Sequence, residues 1–171
     1  MKVLPDLYVE DIFSIDYTHL YKNGVRGLIF DIDNTLVPHG HDIQPDIILL
    51  FTKLHAIGFK TLLLSNNSKE RVEKFNREIN TKIIWDADKP AVNAFKKALL
   101  MLGMNQEEVI MIGDTLFTDI WGANRIGLKS IMVKYIGFYN KEKKGIKRKL
   151  EAFIMLFYPL TMRSGILQNR I

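Results

Sequence analysis

Val25-Arg26-Gly27-Leu28-Ile29-Phe30-Asp31-Ile32-Asp33-Asn34-Thr35-Leu36 is a largely apolar run that stops abruptly at two carboxylates one residue apart. The run reads as a strand buried on both faces, and the carboxylates fall at its carboxyl end. Like charges this close disfavour each other's ionisation, and burial adds a desolvation cost. The pair is therefore tolerable mainly with a cation between the carboxylates, or with a proton held on one of them for use. A second acidic cluster, Gly113-Asp114-Thr115-Leu116-Phe117-Thr118-Asp119, follows another apolar run that starts at Val109. Metal-assisted chemistry is the reading both clusters invite.

Working outward, short apolar runs over 25–31, 59–65, 82–85, 109–114 and 130–135 predict about five strands. Between them, helical spacing covers 46–57, 69–79, 91–102 and 119–126. Gly58, Gly103 and Gly127 supply the stops, and Pro90 suits a first turn. A short helix fits around 16–22, and the rest of residues 1–24 carries no clear pattern. Regular alternation of strand and helix predicts an α/β fold: a parallel sheet with helices on both faces, and its site at the carboxyl ends of the strands. Asp31, Asp33, Ser65, Asp114 and Asp119 all fall at or just past such ends.

The chain has 171 residues, 47% of them apolar, enough for one domain over 1–171 with a substantial core. It lacks cysteine, which excludes disulfides, thiolate metal sites and thiol catalysis. The start, Met1-Lys2-Val3-Leu4-Pro5-Asp6, is unlike a secretory leader, and the longest uncharged apolar stretch, 152–160, is far short of the roughly 20 residues that span a bilayer. A cytoplasmic protein is expected. The formal charge of +5 is uneven: residues 137–171 hold eight Lys and Arg against two Glu, so the whole basic excess lies there.

In order along the chain, the Asp31-Ile32-Asp33-Asn34-Thr35 segment, Ser65 after Leu62-Leu63-Leu64, Lys89 before Pro90, and the Gly113-Asp114 to Asp119 segment resemble the four motifs of the haloacid dehalogenase (HAD) superfamily. The resemblance covers roughly residues 25–135 and implies a three-layer, Rossmann-like fold and phosphoryl transfer. It implies that Asp31 is the nucleophile, forming an aspartyl-phosphate, and that Asp33 is the general acid and then the general base. Ser65 and Lys89 would contact the transferred group, with Asn34, Thr35 and Asn66 beside it. Asp31, Asp114 and the backbone carbonyl of Asp33 would hold Mg²⁺, and Asp119 would orient that shell. A second acid at position 33 favours a phosphatase over a dehalogenase or a transport ATPase. Neither the segment after Thr35 nor that between Ser65 and Lys89 has room for a cap domain.

A finer likeness, in Leu4-Pro5-Asp6 through Ile15-Asp16, Leu20 to Gly24, Asp31 to Leu36, Ser65-Asn66-Asn67 and Lys89-Pro90, is to the capless subclass III A group known as the YqeG family, related to mitochondrial phosphatidylglycerophosphate phosphatases. It implies a phosphomonoester substrate, including a lipid phosphate. A soluble sugar or nucleotide phosphatase and a non-catalytic RNA- or protein-binding scaffold are the competing readings.

Taken singly, these residues have plainer roles. Asp31 and Asp33 fit a solvated turn, Ser65 a helix cap, Lys89 a surface lysine, and His39 and His41 an exposed loop. The basic segment at 137–171, with 141–149 followed by apolar 152–160, suits either an amphipathic element lying on anionic lipid or a last helix packed on the sheet. Nucleic-acid contact is disfavoured, since no recognised motif accompanies the charge. Oligomeric state leaves no mark in the sequence.

Overall fold

The computed structural model describes residues 2–134, 136, 146–156 and 158. Its strands are β1 (Leu7–Val9), β2 (Gly27–Phe30), β3 (Lys60–Leu64), β4 (Lys82–Ile84), β5 (Val109–Gly113) and β6 (Lys129–Val133). The helices are α1 (Tyr17–Lys22), α2 (Pro45–Ile57), α3 (Lys69–Asn76), α4 (Val92–Leu102), α5 (Trp121–Arg125) and α6 (Ile146–Leu156). A π-helical turn, Leu116–Ile120, leads directly into α5. All strand pairs are parallel, in the order β1-β6-β5-β2-β3-β4.

The chain winds from β2 outward through β3 and β4, then returns to place β5 on the other side of β2. The strand order therefore reverses beside β2, and a crevice opens there at the carboxyl ends. Alternation along β2 divides the core into two layers. Leu28 and Phe30 pack with Phe51 and Leu54 of α2, whereas Ile29 packs with Leu62, Leu64 and α4 residues Phe95, Ala98 and Leu102. Burial on both faces explains why these strands read as continuous apolar runs.

The sixth strand, β1, is the main addition to the expected sheet. It has three residues, one half-exposed (Tyr8), and pairs only with β6, so no local pattern announces it. Asp6 anchors it by accepting from the Ser130 amide at 2.9 Å.

Three boundaries differ from the sequence reading. Helix α3 ends at Asn76 because that side chain accepts from the Thr81 amide (2.8 Å) and donates to the Thr81 carbonyl (2.9 Å), closing the turn into β4. The helix expected over 119–126 begins earlier, in the π turn. Pro90 precedes α4 instead of opening it, and follows a cis Lys89–Pro90 peptide.

Of the basic segment at 137–171, only residues 146–156 and 158 are described; the rest lies outside the described residues. Helix α6 packs Ile154 and Met155 against Leu116, Ile120 and Met132, and leaves Leu150, Phe153 and Leu156 exposed. Among the described residues, no helix is long and apolar enough to cross a membrane.

Candidate active site

The turn after β2 is tight. Asn34 adopts the left-handed region (φ +64°), its amide donates to the Val37 carbonyl, and the amides of Thr35 and Leu36 return to the Ile32 carbonyl. This brings Thr35 back over Asp31, where its hydroxyl lies 3.2 Å from Asp31 Oδ2 and 3.4 Å from Asp114 Oδ1. Asp114 follows β5, the neighbour of β2; the register that pairs Phe30 with Ile112 brings Asp31 level with Gly113, so Asp114 stands one residue further on at the same end of the sheet.

Asp119 enters from the π turn above Gly113. A Cβ at Gly113 would stand 2.5 Å from Asp119 Cβ, so only glycine permits the approach. The Thr115 amide donates to Asp119 Oδ2 at 3.1 Å. Asp31, Asp114 and Asp119 each offer an oxygen within 4.8 Å of the others. All three are nearly inaccessible, and Lys89, equally buried, reaches Asp31 Oδ1 at 2.5 Å and Asp119 Oδ1 at 2.7 Å.

Among the described residues, three carboxylates gather around one ammonium, a concentration of buried acid that is tolerable with a cation beside it or a proton held on one carboxyl. An all-oxygen set of this kind fits a hard divalent cation. Burial pushes the Asp31 carboxyl up to about 6, with Lys89 opposing and Asp119 adding to the rise. Burial works against the Lys89 ammonium as well, but Asp119 and Asp31 outweigh it and hold its pKa above the ordinary lysine value.

Asp33 is built differently. Its Oδ2 accepts from Asn67 Nδ2 at 2.6 Å and lies 3.3 Å from His39 Nδ1; its Oδ1 accepts from the Gly40 amide and from Arg71 Nη2, both at 3.1 Å. Burial raises its pKa, but the donors from Asn67, Gly40 and Arg71 prevail and leave it below the ordinary carboxylate range. Ser65, past β3, accepts from the amide and side chain of Asn67 (3.2 and 3.0 Å). Asn66 is tied to the Lys89 backbone, accepting from its amide at 2.8 Å and donating to its carbonyl at 3.3 Å. Asn34 accepts from the His39 amide.

These side chains share one open cleft of about 190 Å³, lined also by Thr115 and Thr118. A larger hollow along β4, lined by Trp85, Lys97 and Met101, shares no residue with it. The fold thus brings Asp31, Asp33, Asn34, Ser65, Asn66, Lys89, Asp114 and Asp119 to one cleft, with Thr35 beneath it.

The HAD-hydrolase-like family model matches residues 87–152. The probable phosphatase YqeG of Bacillus subtilis is 34% identical over 152 residues, covering 86% of this chain and 88% of that protein. The chain belongs to the HAD-like hydrolases, in the family of YqeG. It is an enzyme of the phosphatase class. The phosphatidylglycerophosphate phosphatase 1, chloroplastic/mitochondrial, of Arabidopsis thaliana is 25% identical over 174 residues; this chain spans about half its length (49%), and 96% of this chain is matched. The HAD fold is shared with the cobalt-bound deoxy-D-mannose-octulosonate 8-phosphate phosphatase of Haemophilus influenzae, with a TM-score of 0.52 and 13% identity over 82% of this chain and 91% of that one.

In this HAD-like hydrolase, the sequence reading missed Asn67 and Arg71 as partners of Asp33. No local pattern marks them: Asn67 lies before the N-cap Ser68 and Arg71 in the first turn of α3, and they meet only on the Asp33 carboxylate.

Proposed function

We propose that the protein is a Mg²⁺-dependent phosphomonoesterase that works through an aspartyl-phosphate at Asp31, on a phosphate carried by a membrane lipid of the phosphatidylglycerophosphate type. The observation that carries the reaction class is the buried Asp31–Asp114–Asp119 triad, with Lys89 against it and Asp33 across the cleft.

Asp31, Asp114 and the Asp33 backbone carbonyl would hold the ion, with Asp119 orienting that shell. The ion, when bound, offsets the charge of the nucleophile and of the incoming phosphate. Lys89 shares that task and keeps Asp31 oriented. The Asp31 carboxylate attacks phosphorus as the ester P–O bond breaks, and a proton from Asp33 goes to the departing alkoxide oxygen. A phosphate dianion near Asp33 favours the protonated form needed for that step. Water then attacks the aspartyl-phosphate while Asp33 takes its proton, and the bond from phosphorus to the Asp31 oxygen breaks. The Ser65 hydroxyl and Asn66 face the transferred group from the β3 side.

Three features support a lipid substrate. Among the described residues, no insertion roofs the cleft, so a bulky ester can enter. Helix α6, packed on the turn that carries Thr118 and Asp119, presents Leu150, Phe153 and Leu156 outward. The basic excess at 137–171 attracts anionic lipid, at about 1 kcal/mol per cation near the surface.

The test is Mg²⁺-dependent phosphate release from phosphatidylglycerophosphate in mixed micelles beside a panel of soluble phosphomonoesters. Selective release from the lipid supports the proposal. Preference for a soluble ester overturns the lipid substrate while keeping the reaction class, and silence on all overturns both.

A further inference from the structure

We propose that Arg71 is a positioning residue for the hydrolytic reaction, locking the 38–42 loop and the Asp33 carboxylate into one unit; the proposal rests on the acid–base role assigned to Asp33. Arg71 lies in the first turn of α3, a helix fixed by Val72 and Phe75 in the core. Its guanidinium lies over the Phe75 ring, 5.6 Å from the centroid, and Nη2 donates to Asp33 Oδ1 at 3.1 Å and to the His41 carbonyl at 2.5 Å. Nη1 lies 3.9 Å from Asp42 Oδ1. One planar fork thus joins a rigid helix, the end of the β2 turn and the loop that edges the cleft.

The dependence runs further than one bond. Of the four groups on the Asp33 carboxylate, Gly40 and His39 belong to the loop that Arg71 fastens, and Arg71 is a third. Asn67 alone is supplied from elsewhere. Loss of Arg71 therefore removes one of the four contacts and loosens the loop that supplies two more, which is then held by the His39 amide on Asn34 and by Lys74 on Asp42, letting Asp33 swing from where it faces the leaving group. Arg71 does not line the cleft, so it acts through Asp33 and not on bound substrate.

The test measures kcat and KM on one soluble phosphomonoester for the wild type, Arg71→Gln, Arg71→Lys, Asp33→Asn and the Asp33→Asn/Arg71→Gln pair. Amide exchange over 38–42 is followed in the wild type and the two Arg71 variants. Arg71→Gln should lower kcat by about 10- to 100-fold with KM within about twofold, since small misplacements of a reacting group cost that much. Arg71→Lys keeps the charge but loses the fork, and should be nearly as slow. In the Asp33→Asn background, Arg71→Gln should change the rate by less than about twofold, because both act through one group. Loop amides should exchange at least about tenfold faster, with β2 and β5 protection intact.

An equal loss in both backgrounds, a rise in KM alone, or wild-type rates in Arg71→Lys would overturn the proposal. Should the wild type turn over no better than an Asp31→Asn control measured beside it, the phosphatase mechanism fails instead. Unchanged loop protection then overturns the clamp by itself.

Discussion

The Lys89 ammonium is buried 2.5 Å from Asp31 Oδ1, and the same nitrogen is shared with Asp119 at 2.7 Å. The lysine thus supplies the one buried positive charge among three carboxylates that lie within reach of a cation. Removing one member of a buried pair costs about 3–5 kcal/mol, because the partner is left uncompensated. Lys89→Met should lower the Tm of the metal-free protein sharply and reduce turnover by at least about 100-fold. It should also enlarge the Tm gain on adding Mg²⁺, since no ammonium then competes for the carboxylates. A smaller gain than in the wild type would contradict the arrangement.

Gly113 makes room for Asp119, whose Cβ, Cγ and Oδ2 would all stand within 2.6 Å of an added methyl. All three atoms belong to the Asp119 side chain, so Asp119 takes the displacement. Gly113→Ala should therefore weaken Mg²⁺ binding by at least about tenfold, measured by titration calorimetry, in a protein that still folds. Unaltered affinity would place Asp119 outside the ion's surroundings.

The two acids after β2 titrate in opposite senses. In the metal-free protein, burial lifts Asp31 to about 6, so between the ordinary 3.8 and that value the native state keeps a proton that the unfolded chain has lost. The native state binds more protons there, and the Asp31 contribution to stability falls as pH rises through the window. Asp33, held below its ordinary value, contributes stability above that value and loses it as pH drops through its lowered pKa. Asp31→Asn should raise the metal-free Tm above pH about 7 and change it little near pH about 4. Thermal melts across pH, with chelator present, decide this; a gain confined to low pH would contradict the sign.

Much of this was legible from local pattern. Strands β2, β3 and β5 are buried on both faces, so they appear as apolar runs, and their parallel pairing leaves little choice about where residues 31, 65 and 114 end up. Strand β1 was illegible because its three residues gain meaning only against β6. The left-handed Asn34 and the π turn at Leu116–Ile120 escaped for a different reason: each is a local geometry that its residue types do not announce, closed by the Val37 and Ile32 carbonyls in one case and by the Gly113–Asp119 approach in the other. Arg71 reads as one charge among several in Lys69-Glu70-Arg71, and only the folded loop shows it turned inward.

Leu150, Phe153 and Leu156 are 49%, 58% and 69% exposed on the face of α6 turned away from the sheet. Burying each apolar side chain in a lipid interface contributes up to about 1.5–3 kcal/mol, reduced in proportion to the depth reached. Replacing all three with serine should weaken co-sedimentation with phosphatidylglycerol vesicles by at least about tenfold and leave hydrolysis of a soluble ester within about twofold. Undiminished vesicle binding would assign the lipid contact elsewhere.

The central claim is that phosphate passes through Asp31. The most direct measurement is acid quenching of the enzyme during turnover of a ³²P-labelled phosphomonoester with Mg²⁺, followed by peptide mapping. The account predicts label on the peptide containing Asp31, released by hydroxylamine as an acyl phosphate is, and absent from Asp31→Asn, which also loses turnover. Turnover retained by Asp31→Asn, or label on another residue, would contradict it.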